Sequence, residues 1–293
     1  MTDAHPFHLL LATDGSTSAK AALAVAVRFP WPTGATASVV VSRQTRADYQ
    51  MSILLAALDR SAEHTAGLAR RGLAKRWPSA ETRIVEAPPV DAIVGEATRI
   101  AADVVVVGWR GHGTVRRLLA GSVSRGVVKR APCPVLVVGR APRRIRHMVL
   151  GFDGSPNAQR AVALLASLEV PPGARVTMVT AVDTMQVPAQ GLAPASVRSA
   201  VSAEVARINK ARRAQARAAL DRATAVLVAA GWKVMHVVTD GAPLLELLRV
   251  VTVTHADLLV VGATGVSGVS RFLMGSVAEG ALNRSPVPVL IVR

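Results

Sequence analysis

The sequence predicts an α/β protein of two tandem, doubly wound parallel-sheet domains, each with five strands, of the Rossmann-like or flavodoxin-like kind. Short apolar runs alternate with longer segments of helical length, and this order occurs twice in 293 residues. Two glycine patterns of identical spacing follow apolar runs, one in each half. Alternating strands and helices imply right-handed crossovers, which make the strands of each sheet parallel.

The repeat is measured by the offset between matching segments. Residues 8–16 match residues 147–155 at an offset of 139, whereas Asp103 matches Asp257 at an offset of 154. The second copy therefore carries about fifteen additional residues, which we place near residues 185–200. We predict domain 1 at residues 1–140, a basic linker at 141–146 and domain 2 at 147–293.

The first copy opens with a strand and a helix. Leu9 to Ala12 is a compact apolar run, and residues 18–29 are rich in alanine and valine over a helical length. Residues 36–42 are predicted to form the second strand, and the long helical segment 51–77 ends at Pro78.

Four consecutive valines identify the centre of the predicted sheet. Residues 104–107 are apolar on both faces, which suits a parallel strand covered by helices on each side. The rest of the first copy contains strands at 82–86 and 135–138 and helices at 90–101 and 122–130. For the second copy we predict strands at 148–152, 176–181, 233–238, 258–261 and 287–292, and helices at 157–168, 202–230, 243–254 and 276–283.

The glycines follow the fourth strand of each copy. Two residues separate the first glycine from the second, nine separate the second from the third, and a serine comes directly after the third; the residues are Gly108, Gly111, Gly121 and Ser122, then Gly262, Gly265, Gly275 and Ser276. Glycine lets backbone N–H groups approach phosphate oxygens, and the N-terminus of the following helix favours anions. The pattern indicates two phosphate sites.

These residues resemble the tandem, two-domain form of the universal stress protein family. The resemblance rests on an aspartate after the first strand (Asp14 and Asp153), on both glycine loops, and on the Pro-Val pairs at 134–135 and 286–287. It covers nearly the whole chain. It implies that ATP, with or without Mg²⁺, lies outside the carboxyl ends of strands one and four.

The resemblance also implies a role for each site residue. Asp14 and Asp153 would lie beside the adenosine, and the backbone near Ser42 and Ala181 would face the adenine. The first glycines would contact ribose and phosphates. Those first glycines are Gly108 and Gly262. The remaining glycines and the serines would hold the phosphate chain, with Ser124 as a further hydroxyl in copy one: Gly111, Gly121, Ser122, Gly265, Gly275 and Ser276.

Other interpretations of these residues remain open. The glycines could be turn residues in a fold that binds nothing, and the aspartates could cap the first helix of each copy. Trp109, after the first glycine of copy one, could cover the nucleotide or obstruct it. We therefore expect copy two to have the more reliable site, although copy one has more cations in its loop, namely Arg110, His112, Arg116 and Arg117.

Charge and composition limit the function classes. The net charge is +16, with 21 Lys and Arg against 10 Asp and Glu in residues 1–146. Such a surface attracts nucleic acid, but only 3% of residues are aromatic, so we expect no nucleic-acid partner. The single cysteine, Cys133, is expected to be buried. No apolar run reaches the roughly 18 to 20 residues of a membrane span, and we expect a cytoplasmic protein.

The sequence favours an ATP-binding regulatory protein whose occupancy by ATP, or another adenine nucleotide, modulates an unknown protein partner. We expect that the protein is not an enzyme and that any ATP hydrolysis is slow and incidental, because the sequence has no Walker lysine and no nucleophile elbow. We expect no metal site and no membrane partner. By resemblance the fifth strands pair across an internal pseudo-twofold, and two chains form a homodimer. Two alternatives are a scaffold of this fold without nucleotide and a basic nucleic-acid-associated protein.

Overall fold

A computed structural model describes residues 6–43, 52–109, 121–182, 184–185, 195–265 and 274–293. The first copy contains β1 (His8–Ala12), α1 (Thr17–Arg28), β2 (Thr36–Arg43), α2 (Ser52–Ala74), β3 (Glu81–Glu86), α3 (Pro89–Arg99), β4 (Val104–Gly108), α4 (Ser122–Arg130) and β5 (Val135–Val138). The second copy contains β6 (His147–Gly151), α5 (Pro156–Ser167), β7 (Arg175–Val182), α6 (Ala195–Ala229), β8 (Lys233–Asp240), α7 (Pro243–Val253), β9 (Leu258–Gly262), α8 (Ser276–Arg284) and β10 (Val289–Val292).

The described strands form one ten-stranded sheet in the order β3-β2-β1-β4-β5-β10-β9-β6-β7-β8. Neighbouring strands within each copy are parallel, which confirms the predicted fold class. The two copies meet where β5 and β10 pair antiparallel, with Leu136 opposite Leu290. The predicted pairing of the fifth strands is therefore present inside a single chain, and each of these strands covers the edge of the other.

The central strands are buried on both faces, as the valine run predicts. Val104 and Val106 belong to the core on one side of the sheet, and Val105 and Val107 belong to the core on the other side. All four are at most 3% exposed. Burial of both faces explains why this strand has no polar alternation in its sequence.

The largest error in the predicted elements concerns α6. It begins at Ala195, seven residues before the predicted start, and is 35 residues long, whereas α2 has 23. Residues 195–200 at the end of the inserted segment are therefore helix, while residues 186–194 lie outside the described residues. The side chains of residues 197–204 are exposed. A helical turn without a buried face has no apolar periodicity, so the pattern could not reveal it.

A matched pair of contacts fastens the first strand of each copy. The Asp103 carboxylate accepts the His8 N–H at 2.7 Å, and the Asp257 carboxylate accepts the His147 N–H at 2.9 Å. Nε2 of His147 lies 2.8 Å from Oγ1 of Thr177, and its Nδ1 lies 3.1 Å from the Thr254 carbonyl oxygen. These repeated residues therefore have a structural role.

Replacing His147 tests this arrangement through its pH dependence. Burial lowers the pKa of His147 from its usual value of 6.5, with a smaller contribution from Arg175. As the pH is lowered, the histidine of the unfolded chain therefore binds a proton before His147 of the folded chain does. The free energy of unfolding consequently decreases as the pH drops from about 6.5 to the folded-state pKa of His147. We expect His147→Gln to reduce the loss of urea midpoint between pH 7.5 and 5.5. His255→Asn, at an exposed histidine, is the control. If the urea midpoint changed equally with pH in the two variants, burial of His147 would not be the source of the pH dependence.

One ion pair crosses between the copies beside the β5–β10 junction. Arg125 of α4 lies 3.7 Å from Glu279 of α8 and donates to Asn283 at 3.2 Å. Arg125 and Glu279 occupy equivalent positions in the repeat, 154 residues apart. Equivalent positions meet at a pseudo-twofold axis, so identical charged residues there would repel each other. The repeats have diverged to opposite charges at this point.

Charge reversal tests the contribution of this pair to the association of the copies. Arg125→Glu should lower the free energy of unfolding, and adding Glu279→Arg should recover part of it. Because the side chains are 27% and 46% exposed, we expect a coupling energy of only about 0.5 to 1 kcal/mol in a double-mutant cycle of urea unfolding. Additive losses would show that the pair does not stabilise the junction.

Candidate functional site

A cavity of about 1130 Å³ opens in the first copy at the carboxyl ends of β1, β2 and β4. Helices α1, α2, α3 and α4 contribute residues to its walls. Six residues predicted for the copy-one site line it: Asp14, Ser42, Gly108, Gly121, Ser122 and Ser124. The crevice therefore lies where an open α/β sheet binds its ligands. Gly111, together with Arg110, His112, Arg116 and Arg117, lies outside the described residues.

The turn between β1 and α1 separates the roles of aspartate and serine. Ser16 caps α1 by accepting the Ala19 N–H at 3.3 Å, and Asp14 accepts the Ser16 N–H at 3.0 Å. Copy two repeats this arrangement with Ser155 as the cap and Asp153 before it. The N-cap position of each helix therefore belongs to the serine, while each aspartate accepts an N–H two residues on, as the capping alternative expected of its side chain.

Glycine at position 15 permits this turn. Gly15 and its equivalent Gly154 have φ values of +76° and +77°, in the left-handed region that other residues rarely adopt. The turn places Asp14 on the cavity wall, where Oδ1 of its carboxylate also accepts the Ser16 N–H. The Asp-Gly-Ser sequence of both copies therefore has a definite conformational basis.

Gly108 is required by the packing of the fold as well as by the cavity that it lines. A Cβ atom at this position would lie 2.6 Å from the carbonyl carbon of Ser18 and 2.7 Å from the Ala19 nitrogen. At Gly262 the nearest atom, Cβ of Asn157, would lie at 3.0 Å. The first glycine of each pattern thus lets the fourth strand of its copy approach the first helix. This packing role differs from the simple turn role considered in the sequence analysis.

The third glycine and its serine begin the helix that faces the cavity. Gly121 precedes α4, and the exposed Ser122 lines the cavity. Ser124 is 2% exposed, and its hydroxyl donates to the Gly121 carbonyl oxygen at 3.0 Å. The hydroxyl proton of Ser124 is thus used within the helix, whereas Ser122 presents its hydroxyl at the N-terminus. Ser42 donates to the Ala87 carbonyl oxygen at 2.6 Å.

Trp109 turns towards the neighbouring fifth strand. Its backbone N–H donates to the Val138 carbonyl oxygen at 2.8 Å, and a Cβ atom at Gly139 would lie 2.9 Å from the indole Cε3. Trp109 is not among the residues that line the cavity. Trp109 therefore does not fill the cavity in this structure.

Several polar residues on the cavity wall were not predicted. Ser61 and Thr65 lie one turn apart on α2, and Arg43 ends β2. Arg43 pairs with Asp59 and Glu86, which raise the pKa of its guanidinium, Asp59 most strongly. The four-residue spacing of Ser61 and Thr65 is the only signal in the sequence, and it has meaning only once the inner face of α2 is known.

Some of the predicted residues of copy two lie against one another. Gly275 donates its N–H to the Ala263 carbonyl oxygen at 2.8 Å, so the third glycine folds back onto the residues after β9. A Cβ atom at Gly265 would lie 2.6 Å from Oδ2 of Asp153. Ser276 begins α8 directly after Gly275, and Ala181 lies near the end of β7 opposite Thr239 of β8.

One asparagine bridges the two sides of the copy-two site. Asn157, in the first turn of α5, donates from Nδ2 to Oγ1 of Thr264 at 2.8 Å and to the Thr264 carbonyl oxygen at 3.3 Å. Arg160 donates to Oδ1 of Asn157 at 2.8 Å. Copy one has Ser18 and Ala21 at the equivalent positions, so it has neither the carboxamide nor the guanidinium that form this bridge.

Two further features concern reactive chemistry and membranes. Cys133 is 7% exposed, and burial raises the pKa of its thiol to about 12, which keeps it protonated at neutral pH. Among the described residues, no three His, Cys, Asp or Glu side chains are grouped so that they could hold a metal ion. Within the same part of the chain, no helix has the length and apolar character that crossing a membrane requires.

Fold and site together define a tandem α/β protein with a ligand-sized cavity at the carboxyl edge of its sheet. The model of the universal stress protein family matches residues 7–139 and 144–293. The chain therefore belongs to the universal stress protein family, in its tandem two-domain form.

Individual relatives agree with this assignment. The chain is 31% identical over 235 residues to universal stress protein Rv2005c of Mycobacterium tuberculosis, covering 75% of this chain and 71% of that protein. It is 27% identical over 299 residues to universal stress protein Mb2346c of Mycobacterium bovis, covering 98% and 95%. A universal stress protein structure from Archaeoglobus fulgidus shares the fold, with a TM-score of 0.67, 18% identity and 98% of each chain covered.

Proposed function

We propose that this protein is an ATP-binding regulator that takes its nucleotide in the copy-one cavity. One observation carries the proposal: the aspartate, glycines and serine predicted for the ligand line a single cavity of about 1130 Å³. Ligand sites of small molecules typically measure about 300 to 1,000 Å³, so this space can hold a nucleotide. This choice of copy one departs from the expectation that copy two has the more reliable site.

The chemistry of the walls supports one orientation of the nucleotide. The phosphates would lie at the N-terminus of α4, where Ser122 can donate its hydroxyl and unpaired backbone N–H groups favour anions. The carboxylate of Asp14 would accept from a ribose hydroxyl. The base would lie towards Ser42 and Arg43, where the carboxylates of Asp59 and Glu86 disfavour a polyphosphate.

We propose regulation rather than turnover as the use of this site. The described cavity wall supplies hydroxyls, carboxylates and glycines, but it has no lysine that could accompany a transferred phosphoryl group. Occupancy would instead change the contacts of the segment between β4 and α4, and a protein partner would sense that change. Association of two chains, and the use of ATP rather than another adenine nucleotide, belong to the same proposal.

Removing one hydroxyl tests the site. Ser122→Ala should weaken ATP binding to nucleotide-stripped protein roughly tenfold or more, because a hydrogen bond to a charged phosphate contributes about 1.5 to 3 kcal/mol. Titration calorimetry measures the affinity. Ser167→Ala, at an exposed serine at the end of α5, is the matched control and should bind as the parent protein does.

Absence of saturable binding up to millimolar ATP in the parent protein would refute the proposal and favour a scaffold without nucleotide. Equal affinities in the Ser122→Ala and Ser167→Ala variants would show that the nucleotide does not lie at the N-terminus of α4.

A further inference from the structure

We infer that Asn157 determines which copy takes the nucleotide, by holding the copy-two site in a contracted arrangement. The inference rests on the proposed function and extends it to the second site. Asn157 occupies the position of Ser18, which lines the copy-one cavity, but its longer side chain reaches Thr264 on the opposite side of the site.

The bridge connects two segments that a nucleotide would have to separate. One is the first turn of α5, and the other is residues 263–265 after β9. Asn157 bonds both the hydroxyl and the carbonyl oxygen of Thr264. Serine in copy one has a single hydroxyl on Cβ and lacks the reach and the second donor of a carboxamide.

Arg160 fixes the direction of the carboxamide. Its guanidinium donates to Oδ1 of Asn157 at 2.8 Å, which leaves the NH₂ group of Asn157 directed at Thr264. An amide accepts through its oxygen and donates through its nitrogen, so the two partners together select one orientation. The equivalent of Arg160 in copy one is Ala21, which cannot do this.

The bridge also affects Asp153, the carboxylate of the copy-two site. With the bridge formed, the backbone of Gly265 lies against Asp153, since a Cβ atom there would be 2.6 Å from Oδ2. A ribose hydroxyl would need the same carboxylate. In copy one, the equivalent Asp14 lies on the wall of the cavity. ATP therefore binds tightly at copy one and weakly at copy two, where binding must first break the contacts of Asn157.

Exchanging the two residues of the repeat tests this inference on the full-length, nucleotide-stripped chain. Asn157→Ser places the copy-one residue in copy two and should tighten the weaker ATP site about tenfold, because the two hydrogen bonds of the bridge no longer compete with the ligand. The tighter site should not change. Adding Ser276→Ala should remove the gain, which assigns it to copy two.

Two further variants keep the test secure. Asn209→Ser is the matched control: this asparagine of α6 bonds only the backbone of Met185 among the contacts described, and its loss should leave both affinities unchanged. Thr264→Val removes the hydroxyl acceptor at nearly constant volume and should tighten the weaker site even if Asn157→Ser is poorly folded. Urea unfolding establishes that each variant is folded.

The outcomes separate the two proposals. Two equal sites in the parent protein, or an unchanged weaker site in both Asn157→Ser and Thr264→Val, would overturn the inference while ATP binding stands. Failure of the parent protein and of every variant to bind ATP would refute the proposed function and the inference together.

Discussion

Both sites depend on a close approach between the end of the fourth strand and the first turn of the first helix. In copy one, a Cβ atom at Gly108 would lie 2.6 Å from the backbone of Ser18, and in copy two a Cβ atom at Gly262 would lie 3.0 Å from Cβ of Asn157. This packing brings the aspartate turn and the glycine segment to one edge of the sheet. A side chain at Gly108 would therefore force the fourth strand and the first helix of copy one apart, whereas a Cβ atom at Gly262 would make a tight contact.

The two copies share this frame but differ in what is attached to it. Trp109 packs on Gly139 and leaves the copy-one cavity open, whereas copy two has the small Ala263 in that position and a carboxamide across its site. The same divergence occurs at the junction, where Arg125 meets Glu279. When two copies of a domain pair within one chain, residues at equivalent positions can differ, because each copy needs to fit only the other.

The fold could be predicted from the sequence because buried strands and helices have clear hydrophobic patterns. The valines at 104–107 predicted a central strand, and the predicted copy-one residues that the structure describes, all except Gly111, line one cavity. The early start of α6 was missed because an exposed helix has no apolar stripe. The bridge of Asn157 and the wall formed by Arg43 were missed because they join residues distant in sequence, and only the packed fold shows that they are neighbours.

Amide hydrogen exchange with and without ATP tests the central claim most directly, because it reports on both copies in one experiment. Binding in the copy-one cavity predicts that ATP slows exchange at residues 13–19 and 122–126, with a smaller change at the equivalent residues 152–158 and 276–280 of copy two. Slowing confined to the copy-two residues, or no slowing at either site while ATP is bound, would contradict the account.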